Sequence, residues 1–317
     1  MAHFLDPRSD LVFKRIFGEH PEILRNFLNG MLPFADESQY IASLEYLPSE
    51  QVPDIPIIKN SIVDVRCKDA SGRQFIVEMQ MQWTGSFLQR VLFNASKAYV
   101  RQLEKSESYD LLCPVWGLSL LDATFDADPD AYYHDYQIVE TGNPQRVLEG
   151  LRLIFVELPK YRETNPQEAR KLRWAWLKFL REAGDAGTQG HLSVEEFSAQ
   201  VGINEPLRQA LGIAKECGFT REQLALYDGF WDAVRIERSL LSGKFAEGKA
   251  EGLVEGKAEG KAEGLAEGKA EGKAEGLAEG KAEALLAAAA GMKAARIPAE
   301  TIALITGLPM EEMGVEN

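Results

Sequence analysis

From residue 61 the chain reads SIVDVRCKDASGRQFIVEMQM, and its polar and apolar positions alternate on either side of a polar break. Alternation with a period of two marks strands, so residues 62–68 and 74–81 are predicted as two strands of a hairpin around Asp69-Ala70-Ser71-Gly72-Arg73. Elsewhere apolar positions recur at helical spacing. They predict short helices at 10–17 and 21–31 and a longer one at 86–105. Apolar runs predict further strands at 115–121, 134–139 and 151–157. Residues 166–241 read as helical, with breaks near 184–190, 204–206 and 218. Strands alternating with helices, followed by a helical block, imply an α/β fold with a mixed sheet flanked by helices.

The pattern changes at Glu247. A four-residue repeat, EGKA with EGLV or EGLA variants, runs to residue 282, and Leu253, Leu265 and Leu277 recur every 12 residues. The expected organisation is a folded domain at 1–240, a helical repeat tail at 247–283 and a short helical cap at 284–317. In the cap, a helix, a Gly-Leu-Pro turn and a second helix are predicted. A four-residue period advances about 400° on an α-helix, so each row of side chains drifts about 40° per repeat. Glu follows Glu at i,i+4, no Glu-to-Lys pair is formed at that spacing, and nine glycines disfavour the helix by about 1 kcal/mol each. The acidic and basic rows would fit rows of opposite sign on another copy. The tail is therefore expected to be helical and to mediate homo-oligomerisation; a flexible charged spacer is the other reading.

Composition narrows the classes. The formal charge is −14, distributed as −2, −6 and −6 over residues 1–100, 101–246 and 247–317. This excludes a protein that holds nucleic acid by bulk charge, but admits a locally basic cleft or one that gains charge from bound cations. No apolar run is long enough for a membrane span. The segment MAHFLDPRSD lacks the apolar core of a signal peptide. Three widely spaced cysteines suit a reducing compartment, and a cytoplasmic location is expected. The four histidines have no ligand spacing.

The hairpin carries the candidate chemistry. Asp64 and Arg66 share one strand face, and Ile76, Glu78 and Gln80 share one face of the other strand. If Asp69 and Arg73 face each other across a three-residue loop, Asp64 stands opposite Glu78. A two-residue Ser-Gly turn would set Asp64 against Met79 and put the two carboxylates on opposite faces. Adjacent carboxylates repel unless a cation lies between them, and an all-oxygen site suits Mg²⁺ or Mn²⁺. Pattern alone leaves open a solvated face of a half-buried hairpin. On the following helix, Arg90, Asn94, Lys97 and Arg101 are spaced to share a face that either contacts phosphate or is merely solvated.

Asp64 followed by Glu78-Met79-Gln80 and a helix resembles the D…(E/D)xK signature of PD-(D/E)XK nucleases. More narrowly, DLVFKRIFG (10–18), IVDVRCKDASGRQFIVEMQ (62–80), QRVLFNASKAYVRQL (89–103), FVELPKY (155–161) and the EGKAEG tail resemble the Rpn-type recombination-promoting nucleases, a transposase-like branch of that superfamily. The resemblance implies a restriction-endonuclease-like core and a Mg²⁺- or Mn²⁺-dependent DNA endonuclease acting in recombination or with mobile elements. It implies Asp64 and Glu78 as metal ligands and Gln80 in the place of the usual Lys. It also makes Asp10 a candidate further acidic residue, for which the other reading is an N-cap of the first helix. Arg90, Lys97 and Arg101 become candidates for DNA phosphate. Gln80 departs from the general pattern because it carries no charge, which keeps a catalytically weak nucleic-acid-binding scaffold in view. A conditional defence nuclease assembled through its tail is the third reading.

Overall fold

The computed structural model describes residues 4–51, 61–104, 106–162, 172–184 and 204–309. The chain divides into two compact units, Met1–Arg238 and Ser239–Asn317.

In the first unit, α1 (Asp10–Phe13) runs into a π-helical turn at Lys14–Gly18, and α2 spans Pro21–Met31. The main sheet is built from β1 (Leu44–Tyr46), β4 (Val65–Asp69), β5 (Gln74–Gln80), β6 (Val115–Leu121), β7 (Tyr133–Glu140) and β8 (Asn143–Glu157). Between β1 and β4, β2 (Glu50–Gln51) pairs with β3 (Ser61–Ile62). The main strand order is β1-β4-β5-β6-β8-β7. The β5–β6 and β6–β8 pairs are parallel, and the others are antiparallel. Helix α3 (Phe87–Val100) makes the crossover from β5 to β6. Helices α4 (Leu172–Glu182) and α5 (Glu205–Ile213) follow, and α6 begins at Arg221.

The two sheet faces bury different partners. Val65, Cys67, Phe75 and Val77 join Leu118, Leu120, Ile154 and Val156 in the large core, which also contains the buried sides of α2, α4 and α5. On the opposite face, Ile76 and Val115 pack with Ala95 and Ala98 of α3, while Phe87 and Val91 of α3 meet Leu121 and Phe155. A sheet covered on both faces explains why β5 is buried along most of its length. This overturns the solvated-hairpin reading: the polar face of β5 lies on the side that α3 covers.

The elements differ from expectation mostly at their ends. Helix α3 stops at Val100, with Arg101 as its C-cap, rather than at residue 105. Strand β8 begins at Asn143, eight residues earlier than predicted, because its N-terminal half pairs with β7 in an exposed hairpin arm. That half lacks core-facing alternation, so the pattern could not mark it. The break proposed at 184–190 falls largely outside the described residues.

The β4–β5 loop takes the three-residue form. Val65 pairs with Val77 and Cys67 with Phe75, and the Asp69 N–H donates to the Arg73 carbonyl at 3.0 Å. Asp69 sets the loop. Its Oδ1 accepts from the Ser71 and Arg73 amides at 2.9 and 3.0 Å, and its Oδ2 accepts from Arg73 Nε at 2.7 Å. Gly72 sits at φ +86°, where a Cβ would also come within 2.7 Å of Cys113 Sγ.

In the second unit, α6 continues to Ala294 and α7 spans Ala299–Thr306, ended by Gly307 at φ +70°. The Gly-Leu-Pro turn is thus begun as expected, while the second short helix lies outside the described residues. The repeat is helical throughout, and Leu253, Leu265 and Leu277 are all exposed. Among the described residues, a Cβ placed on any repeat glycine from Gly248 to Gly280 would meet nothing within 4 Å.

Asp69→Ala removes the loop's organising carboxylate. It should lower the unfolding free energy of the first unit by about 2–4 kcal/mol, with Asp69→Asn losing less because the backbone bonds survive. Urea titration followed by tryptophan fluorescence checks this, since all five tryptophans precede residue 239.

Candidate active site

Continued by one residue, the β4–β5 register places Asp64 opposite Glu78. Asp64 lies in the break between β3 and β4, and its Oδ2 accepts the Met79 N–H at 2.7 Å. Strand β5 carries Glu78, which is only 8% exposed. Its Oε1 accepts from Asn94 Nδ2 of α3 at 2.9 Å. Two residues on, Gln80 Oε1 accepts from Arg90 Nη2 at 2.5 Å, and the Arg90 guanidinium lies 5.0 Å from the Phe87 ring centroid. Helix α3 thus supplies a fixed partner to both Glu78 and Gln80 of β5.

Burial pushes the Asp64 carboxyl above the ordinary range; the Met79 N–H opposes this, Asp10 adds to it, and Lys14 and Arg90 pull it back. Glu78 is likewise raised, first by burial and then by the charge of Asp64, against the Asn94 hydrogen bond and Arg90. Asp64 and Glu78 therefore lie within electrostatic reach of each other, with Asp10, Lys14 and Arg90 around them. Two mutually repelling carboxylates, one buried and one half-buried, form a hard oxygen donor set that fits a small divalent cation. Among the described residues no three His, Cys, Asp or Glu side chains form a cage. A cation held by these two carboxylates would need further oxygen ligands to complete its shell.

The other candidates separate. Asp10 opens α1 and pairs with Lys14 Nζ at 2.7 Å. The N-cap is Ser9, whose Oγ accepts from Val12 N, so the capping reading of Asp10 is corrected. Arg90 is exposed beside the carboxylates. Lys97 is buried at 7% exposure, with Nζ 6.0 Å from the Phe93 ring centroid. Burial, and then the charge of Arg101, lowers the pKa of both Lys97 and Arg66, which groups those three cations together. The face Arg90–Asn94–Lys97–Arg101 is thus not a uniformly solvated stripe: Asn94 and Lys97 point into the protein.

Sequence reasoning did not assign Asn94 to Glu78 or Arg90 to Gln80. The i,i+4 spacing of Arg90 and Asn94, matched to the i,i+2 spacing of Glu78 and Gln80, was the available signal. It also missed a second buried polar centre. Glu157, fully buried, accepts from Phe125 N and Lys160 Nζ at 2.8 and 2.9 Å and hydrogen-bonds His134 Nε2 at 2.8 Å. Lys160 also donates to the carbonyls of Asp126 and Ala131. This network fastens the 122–132 loop to the end of β8 and accounts for the polar residues of FVELPKY.

Raised carboxyl pKa values mean that the folded state binds more protons than the unfolded one between the ordinary carboxylate values and the raised ones. Stability then falls as pH rises through that window, and the cost is fully present above it. Without divalent ions, Asp64→Asn and Glu78→Gln should each raise the melting temperature by a few degrees at neutral pH. The gain should fade as pH drops to the ordinary carboxylate range, as followed by scanning calorimetry across pH.

A family model for PD-(D/E)XK nuclease family transposases matches residues 7–237. No curated protein and no solved structure gives a match. The matched span covers most of the chain and contains the mixed sheet, the α3 crossover and every side chain of the site. The chain belongs to the PD-(D/E)XK nuclease family transposases.

Proposed function

We propose that this protein is a metal-dependent endonuclease that hydrolyses DNA phosphodiester bonds in recombination or mobile-element processes. The observation that carries the reading is the meeting of the half-buried Asp64 and the buried Glu78, both of raised pKa, beside an exposed arginine. They would hold Mg²⁺ or Mn²⁺. Such an ion polarises a phosphoryl oxygen and makes water a better nucleophile at neutral pH.

The protein's own groups do the rest. Asn94 fixes the Glu78 carboxylate, and the Met79 amide fixes Asp64. Gln80 is neutral, but its carbonyl oxygen holds the Arg90 guanidinium. The cation missing from the third motif position is thus supplied from α3, where it can neutralise charge developing on the phosphate. Asp10 holds Lys14 by its ion pair, next to the same phosphate path. Arg101 would contact the backbone farther along, whereas Lys97, buried on its helix, is withdrawn from that role. Among the described residues no helix is long and apolar enough to cross a membrane.

The tail is assigned to self-association. Nine glycines that no side chain among the described residues approaches leave room for a second helix at close range. Replacing all nine by Ala should raise helicity, by about 1 kcal/mol per site, yet abolish the self-association. Sedimentation and circular dichroism of the full chain check both effects; association that survives the added methyl groups contradicts the assignment.

Plasmid nicking in Mg²⁺ tests the activity. Asn94→Ala should cost about 10- to 100-fold, as for partners that orient metal ligands. Asp64→Ala and Glu78→Ala should cost more, and equal nicking by all variants would refute the site. Because protons compete with the cation for both raised carboxyls, the acid limb of the pH–rate profile should lie above the ordinary carboxylate range. It should move to lower pH as Mg²⁺ is increased.

A further inference from the structure

A cleft of about 490 Å³ lies within the first unit, between the α1/π-helical segment and the start of α6. Its walls differ in chemistry. Asp10, Lys14 and Arg15 stand on one side; Gln223, Leu226 and Phe230 stand on the other. Leu226 is 68% exposed, and Phe230 is half-buried beside Trp231, with ring centroids 5.3 Å apart. Lys14 and Arg15 are the first two residues of the π-helical turn, a rare local geometry that recurs at functional sites. Asp10 and Lys14 line this cleft and are also among the charges felt by Asp64, which links the cleft electrostatically to the candidate catalytic centre.

The size and lining decide the occupant. The volume falls in the range of pockets that enclose a small organic group. Asp10 and Glu19 on the rim oppose an anion inside, while Leu226 and Phe230 offer a flat apolar group a surface. The Arg15 guanidinium lies over the Phe219 ring, 4.3 Å from its centroid, and its Nη1 reaches Gln223 Oε1 at 3.5 Å. A group that is planar, apolar on its faces and polar at its edges fits, and a nucleobase has that description. In a duplex the base faces are stacked and the edges paired, so only an unpaired nucleotide can enter.

We propose that this cleft is a nucleotide subsite that takes an unpaired base flanking the scissile phosphate, stacked on Phe230, with Lys14 at the phosphate. The proposal rests on the nuclease reading and adds a substrate class: DNA with a single-stranded or opened nucleotide at the cut. Base–aromatic stacking carries little sequence preference, because every base has a π-face.

The test is fluorescence anisotropy with the full chain, using a fluorescein-labelled single-stranded oligonucleotide and the matching blunt duplex, in Ca²⁺ to suppress hydrolysis. Phe230→Ala should weaken single-strand binding about tenfold and duplex binding less than twofold, while Phe230→Tyr restores it. A 2-aminopurine placed beside the cleavage position should be quenched by the wild type and less so by Phe230→Ala, at unchanged melting temperature. Equal loss for both DNA forms, no loss, or no binding of single strands by the wild type overturns the subsite. Failure of the nuclease reading is seen separately, as plasmid nicking that Asp64→Ala and Glu78→Ala leave intact.

Discussion

One loop fixes the geometry on which the chemistry depends. Side chains on a strand alternate, so a hairpin slip of one residue would send Asp64 and Glu78 to opposite faces of the sheet. The Asp69 carboxylate accepts two loop amides and the Arg73 guanidinium, which holds a three-residue turn and the register with Val65 against Val77. Gly72 supplies the positive φ that this turn requires. From that constraint follow the shared face of the two carboxylates, their placement under α3 and the reach of Asn94 and Arg90.

Covering that face changes its physics. A carboxylate pair on a solvated hairpin would be ordinary surface charge. Packed beneath α3, Glu78 is buried beside the half-buried Asp64, whose charge adds to the cost of ionising it. The Arg90–Gln80 bond bears on the departure in the third motif position, since a neutral amide that holds a guanidinium brings a cation to the same place by a different route. The charge then comes from a crossover helix rather than from the strand itself.

Much of the sheet and of α2 was legible because burial imposes a period. β6 and α2 have the bounds that their apolar spacing predicts, since both faces or one full stripe must be buried. The β4–β5 hairpin was legible in its two possible registers but not in the choice between them. That choice lies in hydrogen bonds of Asp69 that no periodicity records. The N-terminal half of β8 was illegible because it forms an exposed arm with no core-facing alternation. At the site, Asp64 and Glu78 could be read from alternation, whereas Asn94, buried at 5% exposure, looked like one more residue of a polar helix face. The Glu157 centre was hidden for a related reason: its partners, His134 and Phe125, are distant in sequence.

The central claim is that Asp64 and Glu78 act as one cation site. Titration of Mn²⁺ followed by electron paramagnetic resonance, in a double-mutant cycle of Asp64→Asn and Glu78→Gln, addresses it most directly. Sharing one ion predicts a bound Mn²⁺ in the wild type, a large loss in either single variant and little further loss in the double variant. Full Mn²⁺ binding by a single variant, or losses that simply add, would contradict it.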